Sequence, residues 1–229
     1  MSRRFLITVA GHPKPVESKT MQKANCKICR RAGTKLFLKG DRCLSPKCAL
    51  IKKPYPPGPK RKGRFKQLSE YGKELKEKQK LKNWYNLRER QFAKYVREIL
   101  RRRGRVEDVS SLLVQTLEKR FDNVIYRLGF ATSRVQARQL VSHGHFMING
   151  KVVSSPSCQV KKGEKILLNP FSRKKKNIEK ILATIKKYRP PAWLKLDPEK
   201  FEAEVMGEPN LVEAAPPAEL STIFEYYSR

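Results

Sequence analysis

The sequence has no long hydrophobic run and little negative charge for its length. None of its 229 residues belongs to an apolar stretch long enough to cross a bilayer. The short apolar run at 5–10 follows two arginines and ends at Gly11, so it is too short for a secretory signal. Asp and Glu number 21 against 52 Lys and Arg, which gives a formal net charge of +31. Such self-repulsion indicates a polyanionic partner, and nucleic acid is the usual one.

The sequence also lacks the residue patterns of common catalytic sites. It has no Gly-rich phosphate loop, no nucleophile beside a suitable base and no pair of carboxylates placed for acid–base work. The triplet Arg120-Phe121-Asp122 faintly resembles a motif of pseudouridine synthases, but it falls inside a predicted helix of a binding motif. We therefore predict a binding protein rather than an enzyme, with no small-molecule substrate.

Cysteine is scarce, but four of the five cysteines lie close together near the start of the chain. They form a CxxC pair and a CxxxxC pair, separated by 13 residues that include five Lys or Arg and one acid. Two close pairs around a short loop can bring four sulfurs to one metal ion. The predicted ligands are Cys26, Cys29, Cys43 and Cys48. For the fifth, Cys158, we predict a small, partly buried side chain.

The cysteine pattern leaves the bound group open. Zn²⁺ held by four thiolates would form a closed structural site with no position for water. An iron–sulfur cluster takes the same four ligands, and disulfides or an empty site are further alternatives. Because no secretory signal is recognised, reduced thiols and a metal are favoured over disulfides. Zn²⁺ is the prediction, and the iron–sulfur cluster is the main alternative.

Caps, apolar stripes and turn residues predict a mostly helical α+β protein. Helices are expected at 69–84, 88–103, 111–128, 133–143 and 173–188. Asn149-Gly150 between two short apolar runs is typical of a β-hairpin, and a further strand follows at 165–168.

The same features divide the chain into segments. In chain order we predict an irregular extension at 1–25, a four-cysteine metal-binding segment at 26–48, a basic proline-rich arm at 49–68, helices of a first domain at 69–110, a helix–helix–hairpin domain at 111–170, a basic helix and connector at 171–196, and an acidic tail at 197–229. The tail holds eight of the 21 acids and two bases. Because its last residues include Ile223, Phe224, Tyr226 and Tyr227, we expect it to pack on another part of the protein and not to be a solvated end.

The predicted nucleic-acid contacts are basic side chains in three places. The arm combines lysines and arginines with stiffening prolines, and the second helix ends in three arginines, more than its dipole requires. In the helix–helix–hairpin domain, four arginines at spacings of seven and four residues form two pairs, each on one helix face. The predicted set is Lys52, Lys53, Lys60, Arg61, Lys62, Arg64, Arg101, Arg102, Arg103, Arg120, Arg127, Arg134, Arg138, His143 and His145.

A DNA-binding protein with a zinc module is the alternative kind of nucleic-acid binder. The cysteine segment, however, has no histidine ligand and no recognition helix directly after it. Positive charge is spread over the chain as far as residue 196, which favours extensive backbone contact with a structured RNA.

Residues 119–153, KRFDNVIYRLGFATSRVQARQLVSHGHFMINGKVV, resemble the RNA-binding motif of the S-four family of small-subunit ribosomal proteins, in its bacterial or organellar form. The four-cysteine pattern, LFLKGDRC, KKPYPPG, KEKQKLK, RERQF and the closing EYYSR are similar to that family in the same order. The resemblance covers 26–229, whereas the extension at 1–25 is longer than the family's usual start. Cys158 lies where the family often has an aromatic residue.

The resemblance has implications for fold, function and partners. It implies a helical domain, built from the N-terminal part and the C-terminal end, beside a second domain that carries the binding motif. It also implies a primary binder of small-subunit ribosomal RNA that starts assembly of the subunit body and contributes to translational accuracy. The implied partners are that RNA, neighbouring ribosomal proteins and messenger RNA near its entry, with no membrane partner. The implied location is the ribosome of the cytoplasm or of an organelle.

Overall fold

Two hydrophobic cores organise the chain, one formed mainly by helices and one by helices and a β-sheet. The computed structural model describes residues 25–58, 67–102, 108–173, 175, 178, 181, 185 and 188–228. The helices and the antiparallel sheet confirm the predicted α+β class. The predicted extension at 1–25, except its last residue, lies outside the described residues.

The first core brings together helices from both ends of the chain. They are α1 (Asn25–Ala32), α4 (Glu70–Trp84), α5 (Glu89–Leu100), α6 (Val109–Glu118) and α11 (Leu220–Ser228), with the one-turn helices α2 (Asp41–Leu44) and α3 (Ala49–Lys52) beside them. Leu81, Phe92, Val96, Leu113 and Ile223 are fully buried in this core. Each such side chain contributes about 1.5–3 kcal/mol when it leaves water. We call these elements and their connections the first unit.

Side-chain caps fix where three of the helices begin. Ser69 Oγ accepts a hydrogen bond from Gly72 N–H at the start of α4, as predicted. Ser133 Oγ accepts one from Gln136 N–H at the start of α8 (Arg134–Ser142), also as predicted. Asp108 Oδ1 caps α6, which begins at Val109, two residues before the predicted start. A cap of this kind stabilises a helix by about 1 kcal/mol.

The second core packs two helices against a five-stranded antiparallel sheet. Its elements are α7 (Phe121–Arg127), α8, β1 (Phe146–Ile148), β2 (Lys151–Val152), β3 (Lys165–Leu168), β4 (Leu194–Asp197) and β5 (Glu202–Val205), with the one-turn helix α9 (Pro170–Arg173) after β3. The strand order is β2-β1-β3-β5-β4. Asn149 and Gly150 have positive φ values of 48° and 79°, as the predicted hairpin turn requires. We call these elements the second unit.

The apolar stripe predicted as one helix at 111–128 is divided between α6 and α7. Leu113 and Leu117 on α6 belong to the first core, whereas Phe121 and Val124 on α7 belong to the second. The chain leaves the helix between them because Val160 N–H bonds to the Lys119 carbonyl and Phe121 N–H bonds to the Cys158 carbonyl. The predicted domain boundary at 110/111 therefore lies within α6. The chain passes from the first core to the second after residue 118.

The acidic tail contributes a helix to the first unit and strand residues to the second. Its end forms α11, which packs on α4 and α5 of the first unit, as expected. Its beginning forms part of β4 and all of β5, and β5 pairs with β3 in the sheet of the second unit. The sequence pattern did not predict this strand pair. The one-turn helix α10 (Leu211–Ala214) lies between the two parts and contacts α6.

Only a few positions of the predicted helix at 173–188 are described. Ile178, Ile181 and Ile185 are helical and buried in the second core, which agrees with an amphipathic helix there. Among the residues that the structure describes, no helix is long and apolar enough to span a membrane.

Candidate nucleic-acid interface

The four cysteines of segment 26–48 lie on α1, on α2 and at the start of α3, and the other three are close enough to Cys29 to act on it electrostatically. Cys29, Cys43 and Cys48 are buried, Cys26 is half-buried, and all four are free thiols. Burial raises the pKa of the Cys29 thiol, and electrostatic repulsion from the other three cysteines raises it further. Lys39 N–H points at Cys43 Sγ at 3.3 Å. Within the described residues, however, no group of three or more His, Cys, Asp or Glu side chains is arranged to hold a metal ion.

A basic hollow opens beside the cysteine segment. It has a volume of about 390 Å³, and its lining residues are Arg42, Lys47, Ala49, Lys52 and Lys53. All four cationic side chains are exposed. Residues 26–58 contain nine Lys or Arg and a single acid, Asp41, so little local charge opposes an incoming anion. The hollow therefore offers several cations to a phosphate backbone.

Arg30 holds the beginning of the proline-rich arm against α1. Its Nε donates to the carbonyl oxygens of Lys53 and Tyr55, at 3.0 and 2.9 Å. Its guanidinium also lies 4.9 Å from the centre of the Tyr55 ring. Lys52 and Lys53 are thereby fixed beside Arg42 and Lys47, because the arm starts at a defined place.

The other predicted contacts of the first unit differ in where they lie. Lys52 and Lys53 are part of the basic hollow, and Arg101 and Arg102 are exposed at the end of α5. Lys60, Arg61, Lys62, Arg64 and Arg103 lie outside the described residues. Arg42 and Lys47 were not in the predicted set, although the charge of the loop that contains Arg42 pointed to this surface.

Arg120 was predicted to contact RNA, and its placement corrects that assignment. Its side chain is 1% exposed and forms a two-point ion pair with Asp122, with distances of 3.1 and 2.7 Å. The remaining nitrogen donates to the Tyr95 hydroxyl at 2.8 Å. Burial opposes the charge, but Asp122 and Tyr95 outweigh it and raise the pKa of Arg120. No face of this guanidinium is open to a phosphate.

Arg134 is also turned inward, which corrects its predicted role as a surface contact, whereas Arg127 and Arg138 are half-buried and their roles as contacts stay a prediction. Arg127 donates to both carboxylate oxygens of Glu118, each at 2.9 Å. Arg134 is 6% exposed, and its Nε donates to Asn123 Oδ1 at 2.8 Å. Burial lowers the pKa of Arg134. Arg138 is half-buried and donates to the Asn86 carbonyl at 3.1 Å.

The two predicted histidines differ in exposure. His145 is buried, and its Nδ1 lies 2.8 Å from Ser172 Oγ. Burial lowers the pKa of His145, and the nearby charges of Lys175 and His143 lower it further, so the ring is neutral at pH 7. His145 therefore supports the fold, which corrects its predicted role. His143 is exposed, and its role as a contact stays a prediction.

Comparison with known proteins identifies the family. The pattern described as "Ribosomal protein S4/S9 N-terminal domain" matches residues 20–118, and the "S4 domain" pattern matches 119–166. The small ribosomal subunit protein uS4 of Natranaerobius thermophilus is 45% identical over 204 residues, which is 89% of this chain and 96% of the relative. The chain belongs to the uS4 family. The uS4 proteins of Thermus thermophilus and Thermotoga petrophila are 43% and 42% identical, with the same coverage of both chains.

The two matched family patterns meet where the chain passes from the first core to the second. One pattern ends at residue 118 and the other begins at 119, which is the junction of α6 and the segment before α7. The uS4 relationship thus covers both units. The basic hollow lies within the first pattern, and the inward-turned arginines lie within the second.

Proposed function

We infer that the protein is a constituent of the small ribosomal subunit that binds the RNA of that subunit. Membership of the uS4 family across most of the chain carries this conclusion. The exposed basic hollow supplies a physical means, because cations displace condensed counterions from phosphates and thereby gain binding free energy. The chain is a structural RNA-binding protein and not an enzyme.

The arrangement of the hollow supports binding with a small ordering cost. Because Arg30 ties down the start of the arm, Lys52 and Lys53 are held in place before RNA arrives. A prearranged surface loses less conformational entropy on binding than a free arm does. Arg101 and Arg102, exposed at the end of α5, are proposed to extend the contact area, as is His143. The predicted lysines and arginines at 60–64 and Arg103 belong to the same proposal.

The biological roles that follow from the resemblance are part of the proposal. They are early binding during assembly of the subunit body, a contribution to translational accuracy, and contacts with neighbouring ribosomal proteins and messenger RNA. The +31 charge supports a location within a ribonucleoprotein particle, since RNA would neutralise it.

We also propose that Cys26, Cys29, Cys43 and Cys48 bind a structural metal, with Zn²⁺ favoured over an iron–sulfur cluster. The donor set fits a soft metal, because four free cysteines lie near one another and three of them are buried. The Lys39 N–H near Cys43 Sγ and the nearby cations would stabilise thiolates. A bound Zn²⁺ would supply a closed crosslink and no catalytic position. The side chains would need to draw together, since they are not arranged for a metal as they lie.

Replacing Lys52 and Lys53 together by alanine tests the role of the hollow. We expect weaker binding to small-subunit RNA, and a log–log salt dependence that is shallower by about 1.4–1.8, because each lost phosphate contact contributes about 0.7–0.9. The measurement is filter binding over a series of salt concentrations. Unfolding should be unchanged, because both side chains are exposed.

The matched control replaces Lys195 and Lys200, which are also exposed, by alanine. These lysines lie in the β4–β5 hairpin beside four acids, Asp197, Glu199, Glu202 and Glu204, so the surface there does not favour phosphate. The control removes the same charge and should leave the salt slope unchanged. Equal losses in the two variants would mean that net charge alone, and not the hollow, supports binding.

A further inference from the structure

The arginines of the second unit bind across the junction between the two units. Arg120 reaches Tyr95 on α5, Arg127 reaches Glu118 at the end of α6, and Arg138 reaches the Asn86 carbonyl after α4. Arg127 also donates to the Ala214 carbonyl on α10 at 3.1 Å. Side chains that could have faced a phosphate instead hold one unit against the other.

Arg134 occupies the centre of this junction. Its guanidinium carbon lies 3.9 Å from the centre of the Trp84 ring, which belongs to the first unit. It lies 4.5 Å from the centre of the Tyr126 ring, which belongs to the second. Both distances are within the range of cation–π attraction, and the attraction strengthens when the cation is desolvated. One buried cation therefore contacts an aromatic ring of each unit.

Arg134 donates one hydrogen bond into a chain of buried polar side chains, and among the described residues its Nη2 is buried without a hydrogen-bond partner. Asn123 accepts from Arg134 Nε and donates to Glu118 Oε2 at 2.7 Å. Glu118 Oε1 accepts from the Tyr85 hydroxyl at 2.8 Å. The centre of the Tyr85 ring itself lies 5.1 Å from the Arg134 guanidinium carbon, so Arg134 contacts residues at both ends of this chain of hydrogen bonds. We call Trp84, Tyr85, Glu118, Asn123, Arg127 and Arg134 the seam.

A second close contact holds α8 from the side of the cysteine segment. Gly40, with φ of 56°, packs so closely on Thr132 that an added Cβ would lie 2.4 Å from its Oγ1. Thr132 directly precedes Ser133, the residue that caps α8. The start of α8, where Arg134 lies, is thus fixed both by the seam and by the cysteine segment.

We propose that Arg134 is a positioning residue for RNA binding, which keeps the two units in one orientation so that they bind RNA as a single rigid surface. The inference rests on the proposed RNA-binding function. Arg134 is not accessible to a phosphate, because its Nε is bonded to Asn123 and its side chain is buried. A rigid junction raises affinity because the two units have no freedom of relative orientation left to lose when they bind RNA.

The test compares the full-length protein with its Arg134→Ala variant by two independent measurements. Residual dipolar couplings of backbone amides report whether both units share one alignment. RNA binding over a series of salt concentrations reports both affinity and the number of phosphate contacts. We expect separate alignments for the two units in Arg134→Ala, and affinity for small-subunit RNA lowered by about tenfold or more. The salt slope should be unchanged, because no phosphate contact is removed.

Two further variants keep the test decisive. Lys52→Ala should show the opposite pattern, with one shared alignment and a salt slope lower by about 0.9. Arg134→Lys keeps the charge but loses the planar guanidinium that lies over the Trp84 ring and the Nε that donates to Asn123, so it should resemble Arg134→Ala. If Arg134→Ala does not fold, Arg134→Lys decides the question.

Two results would overturn the proposal. One is a shared alignment in a folded Arg134 variant, and the other is a salt slope reduced by about 0.9, which would indicate direct phosphate contact. Failure of the wild-type protein to prefer small-subunit RNA over an unrelated RNA would refute the proposed function instead. In that case the alignment comparison would still decide whether Arg134 fixes the junction.

Discussion

Replacing Glu118 by alanine should lower the free energy of unfolding by about 3–5 kcal/mol, the usual cost of removing one partner from a buried ion pair. Glu118 is 1% exposed and accepts hydrogen bonds from Arg127, Asn123 and Tyr85. Its removal leaves the Arg127 cation without a counterion in the seam. The measurement is urea unfolding, followed by circular dichroism and by tryptophan fluorescence, to which Trp84 in the seam and Trp193 in the second core contribute.

Glu98→Ala is the control for this prediction. Glu98 also pairs with a cation, Lys94, but at 3.7 Å and with both side chains largely exposed. Such a pair contributes about 0.3–0.5 kcal/mol, so the control should unfold almost as the wild type does. A comparable loss of stability in both variants would show that the burial of Glu118 in the seam adds nothing to the free energy of unfolding beyond what an exposed ion pair contributes.

Replacing Cys43 by serine should remove the proposed metal and unfold the cysteine segment. Structural Zn²⁺ binds zinc-finger peptides with an apparent free energy of about 10–16 kcal/mol, which is comparable to the whole stability of a domain. We expect fast amide hydrogen exchange throughout 26–48 in Cys43→Ser, whereas β1, β3 and β5 stay protected. Elemental analysis should find one zinc per wild-type chain and none in the variant. An iron–sulfur cluster would instead appear as visible absorption and as iron.

Cys158→Ser is the matched control, because Cys158 packs at the edge of the second core and far along the chain from the other four. It should keep both the metal and the protection of 26–48. The metal proposal would be wrong if the wild-type protein contained neither zinc nor iron, or if Cys43→Ser kept the wild-type metal content.

Helix starts and turns could be predicted from the sequence because their signals are local. Ser69 and Ser133 cap the helices that they were expected to cap, and Asn149-Gly150 forms the predicted hairpin turn. The break between α6 and α7 could not, because the apolar spacing continues across it. What ends α6 is a set of bonds from a distant loop, including those to the carbonyl of Cys158 and from the N–H of Val160.

The four arginines of the candidate site also show what the sequence alone could not predict. Their spacing places them on shared helix faces whether those faces meet a phosphate or another protein surface. For Arg127 and Arg134, the two cases are distinguished by the position of Trp84, Tyr85 and Glu118, and the first two lie about 50 residues before Arg134. By contrast, the charge of the cysteine loop and of the arm correctly indicated where the exposed cations of the first unit lie.

Sedimentation of ribosomal particles tests the central claim most directly. Tagged protein is expressed in cells, the lysate is separated on a density gradient, and the small-subunit fraction is washed with salt. We expect the protein to migrate with small subunits and to stay with them through the wash, because many phosphate contacts must be broken together. Protein that stays at the top of the gradient, or that is spread over all RNA-containing fractions without preference for small subunits, would contradict it.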